Sequence, residues 1–401
     1  MSLDLTTFAA ALKQHYTNDR VENMVYRDNP LLALMPKYEQ FGGENLKLPV
    51  KTGIPQGRSA NFVTAQQNKT NTQLRAFLLE RNRDYSLASI DNETIEASKG
   101  NGNAFMEAAT TEIDGAIESA TRSLAIAMYG TGSGSIGQAA ASATGTAIQL
   151  KNVEDVTNFE VGMELVVSTA DGGGSVKSGS VTVVGVDRDS GILTVDSLAA
   201  IDGGSGVAAD DFVFVEGDYD QKIKGLRAWI PDTTPTSTPF FGVDRTTDAT
   251  RLGGIRYDGS SEPIEEALIS AASRVAREGG KPDYCFMSYA KFADLEKALG
   301  SKVQYIDAHA NAEIGFRGML IHGPRGSIKV IADQNCPDDR AFMLSMSFWK
   351  LYSLGKAPKI LDSDGLKFLR ESSADAVEVR VGYYAQIGCR APGYNANIKL
   401  D

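Results

Sequence analysis

The sequence has 401 residues, of which 42% are apolar and 23% are charged, a composition typical of globular proteins. No apolar run approaches the roughly 20 residues needed to cross a bilayer, and the first residues lack the basic and apolar segments of an export signal. We therefore expect a soluble protein with no membrane partner. The length predicts two or three compact units.

The net charge of −11 is unevenly distributed along the chain. Residues 140–218 contain 13 acidic and 3 basic residues, which gives this segment a net charge of −10. Residues 44–75 contain five basic residues and one acidic residue, a net charge of +4. A protein that grips nucleic acid would carry a long basic stripe, and the chain as a whole shows none.

The first hundred residues are mostly non-helical in pattern. A short helix near Thr6–Tyr16 and a Pro-punctuated arm are predicted up to residue 43, followed by extended chain over 44–98. The middle of that stretch, Gln56–Gln73, is a polar run of about 18 residues, long for a loop in a compact domain. Composition leaves two interpretations open, a disordered surface loop or a hairpin arm that reaches a neighbouring subunit.

The strongest helical pattern runs from Asn103 to Tyr129, where apolar residues recur at steps of three and four. At 1.5 Å per residue it predicts a helix of roughly 40 Å. Gly132, Gly134 and Gly137 then give the spacing G-x-G-x-x-G. A dinucleotide-binding loop of that spacing follows a strand, whereas this one follows a helix, so we interpret it as a flexible helix exit.

The remaining sequence favours a mixed α+β class. Five short β-prone runs separated by turn clusters over residues 146–216 predict a small antiparallel barrel or sandwich. Helices are predicted at Glu262–Glu278 and Tyr289–Leu299. Short strands alternate with turns over most of the rest of the chain.

No motif for catalysis, metal binding or cofactor binding is evident. The three histidines have no partner at metal-ligand spacing, and there is no phosphate-binding loop or nucleophile elbow. Three cysteines, few and far apart, indicate reduced thiols and no disulfide framework. We expect no enzyme, no metal and no cofactor, with a hydrolase carrying an appended β domain as the alternative. The three histidines are His15, His309 and His322, and the three cysteines are Cys285, Cys336 and Cys389.

The order of these elements resembles the major capsid proteins of tailed bacteriophages, which have the Hong Kong 97-type fold. The resemblance rests on the extended stretch Leu46–Ile95, the helix Asn103–Tyr129 with its Gly130–Gly134 exit, the sequence PDYCFMSYAKFADLEKAL, and the closing AVEVRVGYYAQIGCRAP. Residues between Gly134 and Gly225 depart from the pattern and resemble the insertion domains of many phage coats.

The resemblance implies an α+β Hong Kong 97-type capsid fold with a long spine helix, an extended β-hairpin and an inserted small antiparallel β domain. The implied divisions are an N-terminal arm at 1–43, an extended hairpin (the E-loop) at 44–98, the peripheral-domain spine helix and its exit at 99–139, the inserted acidic β-barrel or sandwich at 140–218, an axial domain with part of the peripheral domain at 219–370, and a C-terminal return to the peripheral sheet at 371–401.

The implied function is a shell subunit that assembles as hexamers and pentamers into an icosahedral capsid around double-stranded DNA. The implied partners are other copies of the chain, a separate scaffolding protein and a portal, with or without a decoration protein. Assembly would take place in the bacterial cytoplasm and the product would be the virion capsid. An encapsulin-like compartment shares the fold and is the alternative within this class.

Charge adds two expectations about surfaces. Because DNA repels a segment with a charge of −10, residues 140–218 are expected to face the outside of the shell. The basic hairpin is expected to dock on the acidic surface of a neighbour, since shells distribute binding energy over overlapping arms. The residues predicted to make this contact are Lys47, Arg58, Lys69 and Arg75.

Overall fold

A computed structural model describes most of the chain. The described residues are 29–92, 102–143, 145–204, 206–299, 305–307, 317–362, 365, 369–370 and 375–400, with the backbone alone at 102–111, 305–307 and 317. The predicted helix at Thr6–Tyr16, together with His15 and His309, lies outside these residues. Among the described helices, none combines the length and apolar character that a bilayer span requires.

The segment from residue 29 to 129 ends in the long predicted helix. Its elements are α1 (Pro30–Leu34), β1 (Lys37–Tyr38), β2 (Asn45–Gly53), α2 (Phe62–Gln67), β3 (Gln73–Glu80), β4 (Asn82–Asp91) and α3 (Gly102–Tyr129). The prediction of a helix from Asn103 to Tyr129 is therefore confirmed.

The next segment contains six short strands and two 3-10 helices. They are β5 (Ser135–Gln138), β6 (Ala147–Gln149), a 3-10 helix (Val153–Asn158), β7 (Glu164–Ser168), β8 (Val181–Asp187), β9 (Ile192–Val195), a kinked 3-10 segment (Leu198–Gly204) and β10 (Phe212–Val215). All five strands predicted within residues 146–216 are present.

The rest of the chain contains three helices and eleven strands among the described residues. They are α4 (Leu226–Trp229), β11 (Ile255–Asp258), α5 (Ile264–Arg277), β12 (Tyr284–Met287), α6 (Tyr289–Leu299), β13 (Tyr305–Asp307), β14 (Arg317–Gly323), β15 (Gly326–Ala332), β16 (Arg340–Leu344), β17 (Trp349–Ser353), β18 (Lys359–Ile360), β19 (Leu369–Arg370), β20 (Ala376–Cys389) and β21 (Ala396–Lys399), with 3-10 turns at Arg245–Asp248, Met346–Phe348 and Pro392–Tyr394. Helix α5 confirms the prediction for Glu262–Glu278 to within two residues at its start, and α6 matches its predicted bounds.

Strand β20 organises the first sheet, which we call the peripheral sheet. This 14-residue strand pairs antiparallel with β17, β18, β19 and β4, and β1 joins β17 in parallel. Helix α3 lies against β20 and β4. Its Ile113, Ala116, Ile117 and Ala120 share one face, as steps of three and four require, and pack against three valines of β20.

The six strands β5 to β10 form a closed antiparallel barrel in the order β5-β10-β7-β8-β9-β6. Its two outer strands meet through a bridge between Ala139 and Leu150, with backbone hydrogen bonds on both sides of 2.8 Å. Closure removes the free sheet edges that could otherwise pair with other chains. The barrel begins at β5, ahead of the boundary placed at residue 140 from sequence.

A buried ion cluster fixes the barrel to the peripheral sheet. The Lys222 ammonium donates to Asp84 Oδ2 at 2.7 Å and to Ser123 Oγ at 2.8 Å, and lies 3.0 Å from Asp218 Oδ2. These groups come from β4, α3 and the chain leaving the barrel. Because the ammonium has three oxygen partners and Asp84 Oδ2 also accepts from Ser123 and Tyr383, the cost of burying the charges is offset.

The third sheet has seven strands in the order β11-β21-β16-β12-β15-β14-β13, and we call it the axial sheet. Helices α5 and α6 contribute to its core, which contains Leu268, Ala271 and Val275 of α5 and Leu295 of α6. Parallel pairs (β11 with β21, β12 with β15) lie beside antiparallel ones. This sheet and the peripheral sheet establish the α+β class.

The three cysteines lie free in the protein core. Burial raises the pKa of Cys285 to about 12 and raises the pKa values of Cys336 and Cys389 as well. Because the thiolate is the nucleophilic form, none of them is activated for catalysis.

Two glycines give opposite predictions for substitution by alanine. A Cβ on Gly225 would lie 2.3 Å from the Met128 carbonyl oxygen, so Gly225→Ala is expected to destabilise the subunit by about 1–3 kcal/mol. A Cβ on Gly115, inside α3, would meet nothing within 4 Å, so Gly115→Ala is expected to stabilise it by about 0.5–1 kcal/mol. Urea unfolding of dissociated subunits, followed by circular dichroism, measures both. Equal shifts in one direction would contradict the packing described for the α3 exit.

Candidate functional site: the hairpin arm

Strands β2 and β3 form a two-stranded antiparallel sheet that is separate from the other sheets. Their register runs from the pair Asn45–Glu80 to the pair Gly53–Gln73. We call residues 45–80 the hairpin arm and residues 54–74 its tip. The following strand, β4, pairs with β20 and so belongs to the peripheral sheet.

The base of the hairpin arm is anchored in the main core. Leu48 and Val50 on β2 and Phe77 and Leu79 on β3 are buried, while the alternate residues of β2 are exposed. This is the period-2 pattern of a strand with one face on a core. The Phe77 ring lies 5.0 Å from the Trp229 ring in an edge-to-face arrangement.

Hydrogen bonds hold the base from two sides. The Leu78 amide donates to the Phe241 carbonyl at 2.9 Å, and the Arg251 guanidinium donates to the Thr52 carbonyl at 2.8 Å. The arm therefore leaves the subunit in a fixed direction.

The tip is a small folded unit with no core of its own. Its helix α2 is capped by Asn61, whose side-chain oxygen accepts from the amides of Val63 and Thr64 at 2.9 and 3.3 Å. The Gln56 amide donates to Thr70 Oγ1 at 2.7 Å, which ties the two sides of the tip together. No residue between Lys51 and Ala76 is buried.

Four large apolar side chains are exposed on the tip. The exposed fractions are 60% for Ile54, 79% for Phe62, 58% for Val63 and 67% for Leu74. Single exposed apolar residues are ordinary on protein surfaces, but several within one short projecting segment mark an interaction site. The tip therefore has the composition of a surface that is covered by a partner.

The sequence predicted contact through the charged residues of the arm, and these apolar side chains were not among the predicted contact residues. The sequence did contain an indication of these side chains, since Phe62 and Val63 directly follow a capping asparagine inside an otherwise polar run.

The four predicted contact residues are distributed along the arm. Lys47 lies on the exposed face of β2, Arg75 on β3, and Arg58 and Lys69 in the tip, and all four are exposed. Within the part of the chain that the structure describes, none of them forms an ion pair. Two hydrogen bonds from Thr246 hold the pKa of the exposed Asp244 carboxyl below its usual value, and the charge of Arg75 contributes to this shift.

Elsewhere, the described residues contain no group of three or more potential metal ligands. His322, which the sequence suggested as a turn residue, is exposed on strand β14 opposite Ser327, with its Nδ1 3.2 Å from Ser327 Oγ. Neither observation points to a reaction site.

Comparisons with known proteins connect this geometry to a family. Residues 206–367 match the family described as SU10 major capsid protein. These residues make up about two fifths of the chain, and the match supports a shell-forming function as a phage major capsid protein. The matched residues run from the last strand of the barrel through the axial strands β11 to β16 and the helices α5 and α6, and they also contain β17 and β18 of the peripheral sheet.

A solved capsid structure shares the fold at a TM-score above 0.5. The cyanophage A-1(L) capsid protein has 12% sequence identity and a TM-score of 0.52, with 92% of each chain covered. The capsid of the native GTA particle has 8% identity and a TM-score of 0.47, covering 92% of this chain and 89% of that one. The Mycobacterium phage Bobi structure has 11% identity and a TM-score of 0.42, covering 100% and 99%. A search of curated protein sequences found no match.

These findings confirm the fold and the shell-forming function inferred from the resemblance. The capsid protein has the Hong Kong 97-type arrangement of long helix, hairpin arm, peripheral sheet and axial sheet, with the barrel inserted after α3. The family that matches consists of structural proteins of the shell.

Base and tip are expected to respond differently to the same substitution. Phe77→Ala removes a fully buried ring and is expected to lower the free energy of unfolding of the subunit by about 3–5 kcal/mol. Phe62→Ala, at a ring that is 79% exposed, is expected to change it by less than about 0.5 kcal/mol. Denaturant titration of dissociated subunits provides the comparison. A large loss for Phe62→Ala would place the tip in the core of its own subunit and contradict the description above.

Proposed function

We propose that this capsid protein builds the icosahedral shell of a tailed phage as hexamers and pentamers, and that the hairpin arm of each copy docks on an adjacent copy. The observation that carries the proposal is the combination of an anchored base with an exposed apolar and basic tip. A segment held rigidly outward loses little conformational entropy on docking, so more of its contact energy goes into assembly.

The contacts available to the tip are sufficient for a repeated interface. Fully burying a side chain such as Phe, Leu, Ile or Val contributes roughly 1.5–3 kcal/mol, and the tip offers four such side chains. In a closed shell every copy both gives and receives an arm, so modest contacts combine into a stable particle.

Charge favours an acidic receiving surface for Lys47, Arg58, Lys69 and Arg75. The acidic barrel is one source of such a surface, because its three basic residues already pair with its own carboxylates, as Lys151–Asp210, Lys177–Asp211 and Arg188–Glu160. The remaining carboxylates interact unfavourably with one another. The Glu164 carboxylate, for example, raises the pKa of the exposed Glu216.

The same acidity supports an outward orientation of the barrel, away from packaged double-stranded DNA. The proposal includes a separate scaffolding protein, a portal and, where one is present, a decoration protein on the outer face. Assembly would take place in the bacterial cytoplasm and the product would be the virion capsid.

Polar substitution of the tip is expected to abolish shells while leaving subunits folded. Phe62→Ser combined with Val63→Ser removes apolar contacts on α2, and negative-stain microscopy is expected to show free subunits or capsomers in place of closed particles. Ile269→Ser is the matched control, because Ile269 lies on α5, outside both the hairpin arm and the barrel, and is 48% exposed. Shells from the double variant in wild-type yield would refute docking through the tip.

Neutralising the basic residues of the tip is expected to slow assembly and reduce its salt dependence. For Arg58→Gln combined with Lys69→Gln, light scattering should show a rate several-fold below wild type at low salt and close to wild type at high salt, where screening weakens the wild-type attraction. Arg83→Gln, at an exposed arginine outside the hairpin arm, is the control. Identical salt profiles for the variant and wild type would show that these charges do not contact a neighbour.

A further inference from the structure

An arginine-lined pocket lies on the axial domain, and none of its lining residues belongs to the hairpin arm. It encloses about 510 Å³ between the loop after α4, strand β11 and the C-terminal half of α5. Three arginines, three threonines, an aspartate, a glutamate and an isoleucine line it. They are Arg256, Arg274, Arg277, Thr233, Thr234, Thr250, Asp232, Glu278 and Ile255.

The arginines are held close together by the backbone. The Arg256 guanidinium is half-buried and donates to the carbonyls of Ala249, Gly253 and Gly254 at 3.2–3.4 Å. Arg274 donates to the backbone carbonyl of Arg256 at 3.4 Å, which holds the second guanidinium against strand β11. Arg277 follows on the last turn of α5.

The carboxylate of Asp232 does not neutralise these arginines. It already accepts from Arg227 at 2.7 Å, from Arg340 at 2.9 Å and from the Asn397 amide at 2.9 Å. The remaining carboxylate, Glu278, lies 3.3 Å from Arg277. Of the three arginines that line the pocket, Arg256 and Arg274 thus form no ion pair with a carboxylate among the described residues.

The positive charges of neighbouring arginines repel one another, and burial together with this repulsion lowers the pKa values of two of them. Burial and the charge of Arg274 hold the pKa of Arg256 below its usual value, and burial with the charge of Arg256 lowers the pKa of Arg245 to about 10. An anion in the pocket would relieve this repulsion.

We propose that this pocket binds a phosphate group. Guanidinium groups hold phosphate oxygens through paired, charge-assisted hydrogen bonds, and the threonine hydroxyls that line the pocket can donate to the remaining oxygens. The volume exceeds the need of one inorganic phosphate, so the phosphate can belong to a larger molecule. Two sources share this chemistry, free phosphate and the backbone of DNA. The site itself does not depend on the proposed shell function.

Titration calorimetry with full-length protein tests the site, using inorganic phosphate at constant ionic strength as the probe. Arg274→Gln combined with Arg277→Gln removes two exposed guanidinium groups and the hydrogen bond from Arg274 to the Arg256 carbonyl, but leaves the hydrogen bonds that the Arg256 guanidinium donates in place. The double variant is expected to bind phosphate at least tenfold more weakly than wild type. Arg83→Gln is expected to bind as wild type does. Absence of phosphate binding to wild type, or equal binding to the double variant, would overturn the proposal.

A second arm of the experiment distinguishes the sources with a short DNA duplex. DNA binding that phosphate competes for, and that the double variant loses, identifies backbone phosphate as the ligand. Phosphate binding without DNA binding identifies free phosphate. If the double substitution impairs only assembly and phosphate has no effect on wild type, the pocket receives carboxylates of a neighbouring chain and the proposal is wrong.

Discussion

The structure depends on one aromatic cluster around Trp229, a fully buried residue at the end of α4. Its ring lies 5.0 Å from Phe77 of the hairpin arm, 5.1 Å from Phe240 and 6.2 Å from Trp349 of β17. The indole nitrogen donates to the Ile387 carbonyl of β20 at 3.0 Å, so the buried polar atom is satisfied.

This cluster connects the hairpin arm to the peripheral sheet and to the chain that returns from the barrel. Because the arm has only two strands, it could not keep its shape as an isolated hairpin in water. The core holds its base, and the base in turn holds the tip away from the subunit. The same chain therefore combines a rigid attachment with a projecting surface whose apolar residues are left exposed by the described part of their own subunit.

Local patterns were enough to predict much of the fold. The step of three and four residues identified α3, α5 and α6, and alternating β-prone runs between glycine-rich turns identified five of the six barrel strands. Strand β5 was not predicted, because its four residues, SIGQ, include two polar side chains and a glycine. The bridge between Ala139 and Leu150 closes the barrel, and it is a tertiary contact between its first and last strands that the local sequence pattern does not specify.

The candidate site was predictable in part. Its basic residues followed from charge counting, and the structure places all four on the exposed surface of the arm. Helix α2 was not predicted, because six residues are too few to show a helical period and its stability comes from the Asn61 cap and the Gln56–Thr70 hydrogen bond. The order of strands in the axial sheet could not be predicted from the sequence either, because pairs such as β11 with β21 join segments that are separated by most of the C-terminal half of the chain.

The central claim is that residues 54–74 are covered by an adjacent copy in the assembled shell. Hydrogen exchange measured on free subunits and on closed particles tests it most directly. The account predicts strong additional protection of the amides in the tip on assembly, with little change at the anchored base around Phe77, which is buried in both states. Equal exchange of the tip in the two states would contradict it.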